Sequence, residues 1–500
     1  MTHAALIVTA LLLFLFDDLI GSADGFSRVG DLSRPALAAL VLGPKLVVAA
    51  WVLGRGRVAA IRLGGPRTDR ALRWFNRSAV MLPLAAAALF AADLALGLLP
   101  RVRDLVGNPV LLDELIVWAP TLLLLLVGHA ARYPVERRLR ESELIRRADR
   151  GLPIHPVPGP AAWVAARARQ DLGLLLLPLI LLMGWGEAVV QLTDAGTFGS
   201  DWGPTLGLCL GPAGALGVLV VAPLVLRHAL DTVPLPPGLL RDQLLAQCAD
   251  HGVRVRELLL WHTHGTTLNA AVTGLIPRVR YILLTDALVE ELPPPHLHAV
   301  MEHELNHVRH RHLPTLLLVA AALLVAVAAG GEAAAQTAAP LLPGGRSVWL
   351  DGALAALGLG LWAAAFGWAS RRIERQADTP RAAPHGFDPH RGSGPHVEEP
   401  VDDDAIAAAL DPAPDAPRIF TAGQVFPMLA ALGQVAARAH LDPARFSWRH
   451  GSIAWRQAYL RNLIGTPVEN ADIHRVVRRM RVAAVLLLAG AVAALWWMEV

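Results

Sequence analysis

Long uncharged apolar runs alternate along this chain with short stretches dense in arginine. The runs fall at about 4–20, 36–53, 79–99, 110–131, 172–192, 204–226, 313–330, 348–369 and 482–498. Each approaches the roughly 20 residues that an α-helix needs to cross the hydrocarbon core of a bilayer. The pattern therefore predicts nine spans. The connections between them differ in charge. The stretch after the second run carries Arg55, Arg57, Arg62, Arg67, Arg70, Arg73 and Arg77, and the stretch after the fourth carries Arg137, Arg138, Arg140, Arg146, Arg147 and Arg150. The connections after the first and fifth runs are acidic or neutral, with Asp17 and Asp18, then Asp194 and Asp201. Basic loops stay on the inner side of a membrane. Both observations put the amino terminus inside, and nine spans put the carboxyl terminus outside. Lys45 and Asp93 are the deepest charges in the runs; they are read as interfacial, with a polar cavity as the alternative.

The pattern changes between the sixth and seventh runs. Residues 236–252 read as a helix, 253–260 as a short strand, and 279–285 as a second strand that stops before Asp286, a good helix cap. Pro293, Pro294 and Pro295 end one helix and begin the next. After the eighth run, residues 379–417 are rich in Pro, Gly, His and Asp and poor in large apolar residues, which predicts a flexible insertion. His385, His390 and His396 within it are read as solvated. Order resumes near Phe420 with a helix to about His440, and a further segment follows at 446–463. The expected organisation is a six-span region at 1–227, a catalytic segment at 228–312, a transmembrane hairpin at 313–370, a short helix at 371–378, the insertion at 379–417, a completing segment at 418–481 and a last span at 482–500.

Composition agrees with the spans. Of 500 residues, 54% are hydrophobic and 17% charged, with a mean hydropathy of +0.44. A soluble domain is nearer one quarter charged. Two cysteines, Cys209 and Cys248, exclude a disulfide-rich scaffold and a cysteine-based zinc site.

The chemistry is concentrated in Met301-Glu302-His303-Glu304-Leu305-Asn306-His307. On a helix, His303 and His307 lie four residues apart and share a face, so both imidazoles can hold one Zn²⁺. Glu304 then points toward the attacking water rather than the metal, the position of a general base. Two histidines leave zinc short of a protein ligand. Glu374 is the best candidate, in a charged stretch just after the eighth run, with Asp378 one turn further on to accept a hydrogen bond from a ligand histidine. The competing readings are a solvated helix face for the histidines and an interfacial charge cluster for Glu374. His310, Arg311 and His312 are read as a basic interfacial cap.

These residues resemble a family. The run Asn269-Ala270, Gly274, Ile282-Leu283-Leu284-Thr285-Asp286-Ala287-Leu288, then Ala299-Val300, then the His-Glu-Leu-x-His core and Glu374-x-x-x-Asp378, is similar to the HtpX and CaaX prenyl protease family of integral-membrane zinc metallopeptidases. The resemblance implies His303, His307 and Glu374 as ligands of one zinc per chain and Glu304 as the base. It also implies that an edge strand at Asn269 and Ala270 binds substrate. His450-Gly451-Ser452 followed by Arg456 resembles a later block of the family, in which the His and Arg bind substrate or polarise the scissile carbonyl. The chain departs from the family in two places: Asn306 stands where Gly is common, and Gly451 where Pro is common.

The expected fold class is mainly α: a polytopic helical membrane protein with a small α+β zincin-type catalytic domain at the cytoplasmic face, in a bacterial inner membrane. The expected activity is zinc-dependent endopeptidase cleavage of membrane-associated proteins or peptides, with a role in membrane protein quality control. The expected partners are a protein or peptide substrate and the lipid bilayer, with no nucleic acid and no assigned oligomeric state. A prenyl-peptide processing protease, a sensor-transducer peptidase and an inactive membrane scaffold stay open as alternatives.

Overall fold

The computed structural model describes residues 9, 33–66, 68–107, 109–151, 153–194, 203–265, 267–342, 345–381, 419–438 and 442–499. The first expected span lies outside them except for Thr9, as does nearly all of the expected insertion. Eight of the described helices are long and apolar enough to cross a membrane. They keep large apolar side chains on the outside: Leu324 is 62% exposed and Leu486 67%. A water-facing surface rarely tolerates that over whole helices, whereas a lipid-facing one requires it. The chain is a multi-pass membrane protein.

The described residues divide into two compact units, Met1–Val233 with Trp261–Gly265 and Thr273–Tyr281, and Pro234–Leu260 with Thr266–Val272 and Ile282–Val500. The first unit holds α1 (Arg34–Arg62), α2 (Thr68–Ala95), α3 (Leu98–Val106), α4 (Leu112–Asp149), α5 (Pro160–Ala168), α6 (Leu174–Asp194) and α7 (Gly203–Ala229). Its core gathers Phe90, Leu99, Val117 and Trp118. Helices α1 and α4 approach so closely at Gly56 that a Cβ there would lie 2.0 Å from the Ala131 carbonyl oxygen. Small residues permit this packing inside a membrane. Lys45 and Asp93 are buried against each other: Lys45 Nζ lies 2.5 Å from Asp93 Oδ2 and donates to the Val41 carbonyl at 3.0 Å. Charges in a span pair with one another.

The second unit holds most of a four-stranded sheet of β1 (Thr232–Pro234), β2 (Glu257–Trp261), β3 (Ala270–Thr273) and β4 (Tyr281–Thr285), in the order β1-β2-β4-β3. The expected strands at 253–260 and 279–285 are shorter than the sequence suggested. Val253 lies before β2, and Pro277–Val279 forms a 3₁₀ turn before β4. Packed with the sheet are α8 (Leu239–Asp250), α9 (Asp286–Glu291), α10 (Pro294–Arg309) and α13 (Ala422–Arg438), around Leu244, Leu258, Ile282, Leu284, Met301 and Leu305. Helices α11 (His312–Ala338), α12 (Val348–Asp378) and α15 (Asp472–Glu499) form a second cluster around Val319, Ala322, Ala369, Ile373 and Val477. Helix α14 (Ile453–Leu463) packs on α12 and α13.

Candidate metal centre

Helix α10 is started by Pro294 at its first position, where the missing N–H costs nothing and φ is already helical. Leu297, Met301 and Leu305 recur every four residues and are fully buried in the sheet core. That fixes the rotation of the helix. His303 and His307 then fall on the opposite side, and Glu304 falls between the two faces. Asn306 faces a third direction, where its Nδ2 donates to the carbonyls of Ala377 at 3.0 Å and Thr379 at 3.2 Å. These carbonyls lie at the carboxyl end of α12, where the last acceptors of a helix find no N–H donor within it. The asparagine that departs from the family thus ties the end of α12 to α10. Arg381 N adds a bond to Glu302 Oε1 at 2.7 Å, which ties the residues just after α12 to α10.

This clamp brings Glu374 to the histidines. His303 Nε2 and His307 Nε2 are 3.1 Å apart, and Glu374 Oε2 lies 3.7 Å from His303 Nε2. One ligand atom from each of His303, His307 and Glu374 falls within 4.8 Å of the other two. Two imidazole nitrogens and a carboxylate oxygen converging in this way suit a zinc ion with one position left open. The donor set fits the ion.

The surrounding groups are arranged around those three. Asp378 Oδ1 lies 2.9 Å from His303 Nδ1, close but not aligned for a hydrogen bond. Burial opposes charge on His303, yet Asp378 outweighs it and raises the pKa of the ring. Burial, together with His303, lowers His307 to about 3, which keeps it neutral and able to ligate. Glu304 Oε2 accepts from Val272 N on β3 at 3.0 Å, and burial pushes its carboxyl up to about 7. Asn269, expected to touch substrate, pairs with Thr285: its N–H donates to Thr285 Oγ1 at 3.0 Å, and Thr285 N donates to its carbonyl at 3.1 Å. Ala270 follows as the first residue of the edge strand β3.

His450 and Arg456 are also brought to the cluster, in different ways. His450 Nδ1 lies 3.0 Å from Glu374 Oε1, with the ring half-exposed. Gly451 follows with φ +75° and donates its N–H to the Ser447 carbonyl at 2.9 Å. Proline can do neither, because its φ is fixed near −65° and it has no N–H. The second departure from the family is therefore a different turn. Ser452 Oγ then accepts from Trp455 N and caps α14. Arg456, one turn into α14, places Nε 2.7 Å from Asp378 Oδ2 and Nη2 2.5 Å from Oδ1. It forms a two-pronged ion pair with Asp378, and its nearest approach to Glu374 is 4.0 Å.

The expected interfacial cap is corrected. His312 is 1% exposed, and its Nδ1 lies 2.9 Å from His307 Nδ1. Gln376 and His474, which sequence reasoning did not single out, join the same group of side chains. No spacing signalled it, because Gln376 and Glu374, two residues apart on one helix, do not face each other.

Residues 249–382 match the family model described as Peptidase family M48. The chain carries an M48 peptidase segment. That segment contains Asn269, Ala270, His303, Glu304, His307, Glu374 and Asp378, and it ends before His450 and Arg456. With the apolar helices, it makes the protein a membrane metallopeptidase. A crystal structure of S. mikatae Ste24p is similar at 13% identity and a TM-score of 0.41, covering 85% of this chain and 98% of that one. No curated protein sequence matches.

Proposed function

We propose that this protein is a zinc-dependent endopeptidase that hydrolyses peptide bonds of membrane-associated proteins or peptides at the cytoplasmic face, in membrane protein quality control. The observation that carries the reading is the convergence of His303, His307 and Glu374 within 4.8 Å, with Glu304 half-buried on the same helix as the two histidines. His303, His307 and Glu374 would hold one zinc ion, which supplies Lewis-acid chemistry to a carbonyl and a water. Substrate lies extended along β3, the edge strand of the sheet, and adds a strand to it. Glu304 takes a proton from the water as its oxygen attacks the carbonyl carbon. The C–N bond then breaks, and Glu304 delivers that proton to the leaving amine. His450, half-exposed with Nδ1 3.0 Å from Glu374 Oε1, has an N–H at Nε2 as well when its ring is protonated, and in that form donates it to the carbonyl oxygen as negative charge builds there. Arg456 acts at one remove by holding Asp378.

The test uses full-length protein in lipid vesicles with a model membrane substrate. Removing metal with a chelator should abolish cleavage, and zinc should restore it. Glu304→Gln should retain one zinc per chain and lose about 10²- to 10⁴-fold in rate, the usual worth of a general base. Cleavage by Glu304→Gln at the wild-type rate would reject the mechanism.

A further inference from the structure

His307 does not stand alone on its outer side. Its Nδ1 lies 2.9 Å from His312 Nδ1, His312 Nε2 lies 2.9 Å from Gln376 Oε1, and Gln376 Nε2 lies 2.8 Å from His474 Nδ1. Four side chains from α10, α11, α12 and α15 make one continuous line. His310 stacks on His312 with ring centroids 5.7 Å apart and lies 5.2 Å from His474. The chain reaches His312 through Arg311, which has φ +53°, an uncommon conformation for a residue with a side chain. That reversal between α10 and α11 turns His312 back onto His307.

A neutral imidazole has one N–H and one lone pair, so the line has a sense. For His307 to offer a lone pair at Nε2, its proton must be on Nδ1. His312 Nδ1 must then accept, and its own proton sits on Nε2, facing the Gln376 carbonyl oxygen. The Gln376 amide group in turn donates to His474 Nδ1. In the opposite sense, Gln376 would present its amide group to His312, and His312 would donate from Nδ1 to His307. The His307 proton would move to Nε2 and close that nitrogen to a metal. The observed amide orientation has the first sense.

We propose that His312, oriented by Gln376 and His474, is a positioning residue that locks His307 in its metal-binding tautomer. The inference rests on the metallopeptidase reading above and adds a partner for the second histidine, where Asp378 already serves the first. Outer partners of this kind are worth about 10- to 100-fold in metal affinity.

The experiment is a zinc titration of the full chain in detergent against a competing chelator, with thermal unfolding of the metal-stripped protein alongside. His312→Phe keeps the ring shape and removes both nitrogens. It should bind zinc about 10- to 100-fold more weakly, while the stripped protein unfolds close to wild type. His312→Asn, which keeps an acceptor near the Nδ1 position, should recover most of the loss. Gln376→Met should weaken zinc binding less than His312→Phe, and the double variant should be no worse than His312→Phe alone, because members of one network are not additive. If His312→Phe fails to fold, Gln376→Met and His474→Phe decide by the same zinc measurement. Wild-type affinity in His312→Phe, or in both of the latter two, overturns the inference, as does full additivity in the double variant. Wild-type protein that binds no zinc, or His303→Ala that binds it as well as wild type, overturns the metallopeptidase reading itself.

Discussion

Among the described residues, two groups of acids and histidines have the spacing to hold a metal ion, and they differ in what surrounds them. One is His303, His307 and Glu374 in the second unit; the other is Asp113, Glu114 and Glu187 in the first. In the second group the positive charge is already present. Arg103 Nε lies 2.7 Å from Asp113 Oδ2 and Nη2 lies 3.0 Å from Glu114 Oε1, while Glu187 accepts from Leu111 N at 2.7 Å. Asp113 and Glu114 also sit in the first turn of α4, where the helix dipole favours acids. An arginine and a helix end account for that cluster. In the first group the imidazole nitrogens face each other at 3.1 Å, an arrangement that only a shared proton or a cation makes favourable. The nearest arginine, Arg456, is engaged by Asp378 instead. Proximity of ligand-type residues is common. What separates a metal centre from a salt-bridge network is whether the lone pairs converge with nothing of the protein between them.

The largest expected effect tests that contrast directly. His303→Ala or Glu374→Ala should lose bound zinc by more than the roughly 10- to 100-fold that an outer partner is worth, and should lose all measurable cleavage. Asp113→Asn or Glu187→Gln should leave both zinc content and cleavage unchanged. Elemental analysis of purified protein reads the first quantity and a vesicle cleavage assay the second. Loss of zinc from the Asp113 or Glu187 variant, with retention in the other pair, would reverse the assignment.

The second effect concerns the two arginines. Arg456 is buried on Asp378, with side-chain exposures of 11% and 0%. Removing one partner of such a pair leaves an uncompensated buried charge, at about 3–5 kcal/mol. Arg456→Met should therefore lower the unfolding temperature markedly, with zinc loss following because Asp378 no longer steadies His303. Arg103 is more open, with a side chain 27% exposed, so Arg103→Met should cost less. Thermal unfolding of the metal-stripped proteins compares them. Equal stability of Arg456→Met and wild type would mean that Arg456 is not the support for Asp378 assigned above.

The sequence disclosed these regions unevenly, for physical reasons. A span must be an unbroken apolar run, so the eight spans among the described residues were readable. The ends of the helices were less so. Helix α4 continues to Asp149 well past its apolar part, carried by charged pairs such as Arg137 with Glu141 and Arg140 with Glu136 at helical spacing. His303 and His307 were readable because their spacing of four matches the helix. His312 was not, because the five residues from His307 cross the reversal at Arg311 and no periodicity reports that. Asn306 and Gly451 stood out only as departures from a family pattern. Their reasons, a clamp on the end of α12 and a left-handed turn, exist only in three dimensions.

The smallest expected effect lies at that turn. Gly451 has φ +75°, and a Cβ there would come within 2.7 Å of Trp455 Cε3. Gly451→Ala should pay about 1–2 kcal/mol for the left-handed conformation alone, plus whatever shift Trp455 makes. The ligands are on α10 and α12 and do not depend on the turn, so zinc content should stay at wild type. His450 does depend on it, since Gly451 sets the direction from which the ring reaches Glu374 Oε1. Cleavage should therefore fall about as far as in His450→Ala, roughly 10-fold or more, in line with the loss of one donor to a developing oxyanion. The double variant should be little worse than either single one, because both remove the same donor. Full additivity would mean that the turn serves the site by some route other than His450. In contrast to the arginine-bound acids of α4, this side of the metal centre would then be held by packing on Trp455.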